Sequence, residues 1–143
     1  MNLIRILFIA LIWMMTSDVC MAQTVKGKWK TYDIFNRTQE ESIVDIDIID
    51  DVLYIKIDQI LPEEHKKDLC TKCSDQRKNK PILGMIILRG AMLEDGVWKG
   101  ANILNAKNGK EYGCHISLVA PDLLKIRGFV GYPIFGKTLY WTR

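Results

Sequence analysis

The chain is poor in residues that announce chemistry. It has two histidines, His65 and His115, and neither has a catalytic or metal-binding partner at a recognisable spacing. Ser42, Ser74 and Ser117 sit in no nucleophile-elbow context. No internal repeat and no low-complexity tract is present. The formal net charge is +3, too weak and too evenly spread for an electrostatic nucleic-acid footprint. Beyond the first two dozen residues no long apolar run occurs, so no transmembrane helix is expected in the mature chain. Hydrolase, kinase and nucleic-acid-binding readings therefore have no support.

The amino terminus reads as a targeting segment. Arg5 follows Met1-Asn2-Leu3-Ile4, and Ile6 to Met15 is an unbroken apolar run of about ten residues, too short to cross a bilayer as a helix. Cys20-Met21-Ala22 then offers a cleavage site with Gln23 as the new amino terminus. Residues 1–22 are expected to be a secretory signal peptide and residues 23–143 a single β-barrel domain, exported to a periplasm or the exterior. Cys20 raises the question of lipidation, but Asp18 and Val19 depart from a lipobox. Removing Arg5 and Asp18 together leaves the charge unchanged. Cys70, Cys73 and Cys114 survive cleavage. An exported compartment permits disulfides, and an odd count leaves one thiol over.

What the chain does have is period-two alternation, the mark of half-buried strands. Val25 to Tyr32 reads as a first strand carrying Trp29, followed by a polar loop from Asp33 to Glu40. In Ser42 to Ile49, Val44, Ile46 and Ile48 share one face, with Asp45 and Asp47 on the other. Leu53, Ile55 and Ile57 repeat the pattern after a turn at Asp50-Asp51. Leu61 to Pro81 breaks it, a connection long enough to be functional or internally structured. Strands resume at Ile82 to Met92, with Gly84 and Gly90 as bends, and at Val97 to Leu104. Asp95-Gly96 and Asn108-Gly109 are hairpin signals. Tyr112, Cys114, Ile116 and Leu118 share a face in the next strand, Pro121-Asp122 turns the chain, and Leu123 to Phe129 and Lys137 to Thr142 complete the set. About eight strands at regular spacing predict an all-β fold, a closed barrel or a sandwich.

A set of spaced motifs sharpens this. They are Cys70-x-x-Cys73, Pro81-Ile82-Leu83-Gly84, Trp98-x-Gly100, Ile103-x-Asn105, Asn108-Gly109-Lys110-x-Tyr112-x-Cys114, Leu124-Lys125-Ile126-Arg127-Gly128 and Gly136-x-Thr138-x-x-Trp141-Thr142-Arg143. The pattern resembles the bacterial exported family called domain of unknown function 2147 over essentially the whole mature chain. It departs mildly at Ala101 and at Asn105-Ala106. The resemblance implies an antiparallel lipocalin-like barrel without an assigned activity. The opening Gly27-x-Trp29 also resembles the start of lipocalin-type barrels, where a first-strand tryptophan packs under an arginine from the last strand. That implies Arg143 as the partner of Trp29, with Arg127 as the alternative, in structural closure.

Cys70 and Cys73 are the sharpest local feature. The pair could form a small disulfide, hold zinc with His65, Cys114 or Asp75, exchange thiols, or bridge to Cys114. A disulfide pinning the long loop fits best, because no second ligand pair and no βαβ unit accompany it. Cys114, on an apolar face, reads as a buried thiol. His65, His115 and the Asp45/Asp47 pair read as solvated surface groups. No cofactor and no metal is expected.

Trp29, Trp98, Trp141, Tyr112 and Phe129 could line a cavity or fill the core, since an eight-stranded barrel is about wide enough for either. The favoured expectation is a non-enzymatic barrel binding a small apolar or amphipathic ligand. The Leu61–Pro81 loop would be its lid, Trp98 and Tyr112 would contact the ligand, and Lys66, Lys67 or Arg77 would meet an anionic head group. The alternatives are a packed envelope module that binds another protein through a patch at Tyr132, Pro133, Ile134 and Phe135, or a thiol or zinc protein built on the cysteine loop.

Overall fold

In a computed structural model of the chain, residues 24–143 are described. The expected signal peptide and the lipidation question at Cys20 lie outside them. Eight strands follow one another: β1 (Gly27–Tyr32), β2 (Glu40–Ile49), β3 (Val52–Ile60), β4 (Ile86–Glu94), β5 (Val97–Asn105), β6 (Lys110–Ala120), β7 (Leu123–Phe129) and β8 (Gly136–Thr142). Each pairs antiparallel with the next, and β8 returns to β1 to close the barrel.

Alternation decides which face turns inward. Cross-strand partners from the apolar faces line up around the barrel. Trp29 stands opposite Val44 and Val44 opposite Ile57. Ile46, Ile55 and Leu88 form a second row, and Trp98, Ile116 and Ile126 a third. All of these side chains are buried. The interior is thus filled by side chains, and each fully buried large apolar residue contributes roughly 1.5–3 kcal/mol. Of the two readings of the tryptophans, Trp29, Trp98 and Trp141 take the filled-core one.

The connections segregate by length. At one end, the turn end, β2–β3, β4–β5 and β6–β7 are joined at Asp50-Asp51, Asp95-Gly96 and Pro121-Asp122. Both residues of the first two turns have positive φ, at 51° and 63° and at 50° and 77°. That is the twist a two-residue hairpin needs, and aspartate tolerates it better than most side chains. The other end, the loop end, carries residues 33–39, 61–85, 106–109 and 130–135.

The start of the fourth strand differs from the expectation. The fourth strand begins at Ile86 and not at Ile82. The amide of Ile82 is taken by the Asp68 carbonyl at 3.0 Å and that of Gly84 by the Ile57 carbonyl at 2.8 Å, so residues 82–85 belong to the loop. Gly84 has φ +82°, which breaks the strand there. The turn at Asn108-Gly109 is present, within the four-residue connection 106–109. The Gly109 amide bonds the Asn105 carbonyl at 2.8 Å, while the Asn105 and Asn108 side chains accept from Lys107 and Lys110.

Barrel closure is thin in the ladder, where Lys30 opposite Thr142 is the β1–β8 register pair. Side chains reinforce it. The Tyr32 hydroxyl lies 2.7 Å from Thr142 Oγ1. Arg143 places its guanidinium carbon 4.2 Å from the centroid of the Trp29 ring. Its nitrogens donate to the Pro121, Lys26 and Thr24 carbonyls at 2.7, 2.9 and 3.1 Å. The indole Nε1 of Trp29 donates to the Val25 carbonyl at 2.8 Å. Arg127 is occupied elsewhere, on the β7–β8 connection.

Candidate functional site

The long connection is the natural place to start, because it is folded down and not hung over the barrel as a lid. A single 3-10 turn, Glu63–His65, opens it. Cys70 and Cys73 are joined by a disulfide, and both are buried within the core cluster, Cys70 at 0% exposure. Backbone bonds gather the segment around them. The Cys70 amide donates to the Lys80 carbonyl at 2.8 Å, and the Asn79 amide donates to the Cys70 carbonyl at 2.9 Å. Leu69 bridges Pro81. The loop also needs a glycine beneath it. Gly109 has φ +71°, and a Cβ there would stand 1.9 Å from the Lys72 carbonyl oxygen.

With both sulfurs in a disulfide, neither is available as a thiolate ligand for zinc, and both are buried from an attacking thiol. Among the described residues no three His, Cys, Asp or Glu side chains converge on a cation position. Cys114 is free and buried; burial pushes its thiol up to about 12, so it is not a nucleophile near neutral pH. His65 pairs with Asp68 at 2.8 Å on the surface. His115 packs edge-on to Phe129, centroids 5.0 Å apart; burial, then the nearby Lys99 charge, holds its pKa down. Asp47 is ion-paired to Lys26 at 2.9 Å.

Two solvent-open cavities flank the loop. The smaller, about 580 Å³, lies where Cys73 and Ser74 face the β5–β6 hairpin, with Leu104 and Tyr112 in its wall. The larger, about 840 Å³, runs between residues 80–89 and Gly100–Asn102. It lies between the long loop and an irregular stretch of the sheet. Leu88 pairs with Ile103 and Met92 with Lys99, but no ladder pair joins the strands between them. Gly90 and Gly100 stand in this gap with φ of +102° and +82°, and neither has a neighbour where a Cβ would be. Gly90 is skipped where β4 shifts against β3, and Gly100 lies where β5 shifts against β6. The groove runs from the long loop to this stretch of the barrel wall, with Gly100 in its lining. Pro81, Leu83 and Ile86 give it an apolar strip over the buried Met85 and Leu88, and Asp75, Gln76, Arg77, Lys80, Arg89, Asn102 and Glu111 give it the larger, polar share of its surface.

Arg77 stands between the two cavities. It donates to Asp75 at 2.5 Å and to Glu111 at 2.5 Å, and reaches the Ile86 carbonyl at 3.3 Å. The guanidinium beside Asp75 holds that carboxyl below the usual range. The charge of Arg77 is therefore already matched by two carboxylates. Lys80 and Arg89 form no ion pair among the described residues; Arg89 lies over the Tyr54 ring, 5.7 Å from its centroid.

The sequence-expected contact residues are thus distributed unevenly. Tyr112 and Arg77 come together at the smaller cavity, where the Tyr112 hydroxyl accepts from Asn108 at 2.9 Å. Trp98 is 7% exposed, packs in the core and lines neither cavity. Lys66 and Lys67 are exposed just after the 3-10 turn, Lys66 paired with Glu63, and they line neither cavity. The groove residues Lys80, Leu83, Arg89 and Ala101–Asn102 were not legible as a site. Their only sequence signal was the pair of bends at Gly84 and Gly90, with Gly100 close by.

A second polar cluster closes the loop end. Lys107 reaches Asp33 at 3.2 Å and also Glu41. Backbone amides of Asn36 and Phe35 hold the Asp33 carboxyl far below the usual range, while burial pushes Glu41 up.

Comparison with solved structures finds a lipocalin-family protein, HP1028 from the human pathogen Helicobacter pylori. It has a TM-score of 0.72 and 17% sequence identity, over 84% of this chain and 82% of that one. At that identity the likeness concerns the fold. No curated protein matches. The family described as an uncharacterized protein conserved in bacteria, DUF2147, matches residues 27–143, nearly every described residue, and the chain is a member of that family with the form of a lipocalin-like barrel.

Proposed function

We propose that this protein is an exported, non-enzymatic barrel that binds a small amphipathic molecule in the groove of the β4–β5 wall. The observation that supports this most is the groove itself, set between the long loop and the β4–β5 wall. A groove of about 840 Å³ lies within the usual range of small-ligand sites, about 300–1,000 Å³, whereas the barrel interior is filled. The apolar part of the ligand lies along Leu83 to Leu88. Its anionic group meets Lys80 and Arg89, which form no ion pair among the described residues, and not Arg77, which Asp75 and Glu111 already hold. The disulfide-pinned loop forms one wall and fixes its shape. A buried disulfide suits the oxidising compartment that the amino-terminal sequence implies, and residues 23–143 would be the exported domain.

Native mass spectrometry of protein purified from its own compartment, before and after denaturation, tests the reading. The expected result is an excess mass lost on denaturation, and lost also from a Leu83→Asp/Arg89→Glu variant that keeps its fold. A bare mass in both proteins, with no small amphiphile taken up on addition, would overturn it.

A further inference from the structure

We propose that the loop end of the barrel docks on the surface of an anionic phospholipid bilayer, with Phe35, Tyr132, Ile134 and Phe135 entering the interfacial layer. These four side chains are 92%, 72%, 78% and 75% exposed. They belong to two connections held side by side. Lys137 Nζ donates to the Ile34 carbonyl at 2.8 Å and lies 4.9 Å from the centroid of the Phe35 ring. Large apolar groups so displayed mark an interaction surface, and aromatic rings favour the layer where hydrocarbon meets head groups.

The backbone of the 130–135 connection explains why lipid fits better than protein. The segment carries no charged side chain. The Tyr132 amide donates to the Val130 carbonyl, and the Phe135 amide to the Tyr132 carbonyl, both at 3.0 Å. Arg127 reaches in from β7 and donates to the Pro133 carbonyl at 2.9 Å and the Ile134 carbonyl at 3.3 Å. Polar backbone left unpaired is what a bilayer penalises most, and here much of it is satisfied from within. A protein partner would find few groups to bond, although protein interfaces carry about one hydrogen bond per 100–200 Å².

Charge gives the direction. The three turns at the turn end hold Asp50, Asp51, Asp95 and Asp122, against Arg143 and Lys26 beside them. The four connections at the loop end hold eight basic side chains against five acidic ones. The barrel is polarised along its axis, with its basic end and its exposed aromatic residues together. An anionic surface attracts that end and repels the other.

Flotation with vesicles of phosphatidylglycerol and phosphatidylcholine, against phosphatidylcholine alone, tests this. The purified protein is compared with its Ile134→Ser/Phe135→Ser variant, so any contribution of residues 1–23 cancels. Binding to the anionic vesicles is expected. It should weaken at 1 M salt, where screening acts over about 3 Å, and fall about tenfold or more in the variant, with an unchanged melting curve. Equal binding by variant and parent, or no binding to protein-free anionic vesicles, overturns the proposal. Capture only by natural membranes, abolished when those membranes are treated with protease, also overturns it and assigns the face to a protein. The larger groove contains none of the four residues, so failure here leaves the ligand reading standing.

Discussion

Arg143 covers the indole of Trp29, and the two residues lie at opposite ends of the described chain, one near the start of β1 and one just past β8. The contact joins strands whose ladder is otherwise short. Arg143→Ala removes a cation–π contact of roughly 0.5–2 kcal/mol and three donated hydrogen bonds. A loss of about 1–3 kcal/mol in urea unfolding is expected, with Trp29 emission shifted. Arg143→Lys should recover little of it, because an ammonium cannot serve the ring face and three carbonyls together.

The cysteine pair should act locally. A disulfide spanning a sequence separation of three removes little denatured-state entropy, about 2 kcal/mol at most by the chain-entropy relation. A Cys70→Ala/Cys73→Ala variant should therefore stay folded. Hydrogen exchange at the amides of Cys70, Asn79 and Ile82 should rise strongly, while amides of β6 and β7 change little. Uniform acceleration across the barrel would contradict a local role.

Gly109 should tolerate no side chain. Gly109→Ala meets both a positive φ and the Lys72 carbonyl, so the loop must lift. A cost of about 2 kcal/mol or more, with new proteolytic cleavage between residues 61 and 85, is expected. Gly96→Ala also has a positive φ, of 77°, but open space around it, and should cost about 1 kcal/mol without opening the loop.

Cys114 should be silent to thiol reagents at pH 8 in the native protein and react once on unfolding. It also makes stability depend on pH. Its thiol is raised from 9.0 to about 12 in the folded state by burial. Above pH 9 the unfolded chain releases this proton and the folded chain does not, so stability falls between about pH 9 and 12 and is unaffected below that window. Denaturant midpoints across this range should fall less steeply in Cys114→Ala.

Much of the fold was legible in local pattern. Val44-x-Ile46-x-Ile48 and Leu53-x-Ile55-x-Ile57 state strand, face and register on their own, because a side-chain period of two leaves one way to bury an apolar row. Asp50-Asp51 and Asp95-Gly96 state where the chain reverses. Ile82 to Met85 misled, since an apolar run is also what a buried loop needs. Phe35 was read as part of a polar loop, because its neighbours are polar and nothing local shows that Lys137 brings the β7–β8 connection beside it.

The sequence by itself determined an all-β chain of about eight strands and a cysteine pair in its one long connection, while the pairing of Trp29 with Arg143 was implied by the resemblance to lipocalin-type barrels. The first two are properties of neighbours in the chain. Tertiary structure alone decided that the interior is full, that the cysteine loop is folded into the core, and that a groove runs between that loop and the β4–β5 wall. It alone gathered the basic loops and exposed aromatics at one end. Each of these depends on side-chain volumes and strand pairings between residues far apart in sequence, which no local spacing encodes.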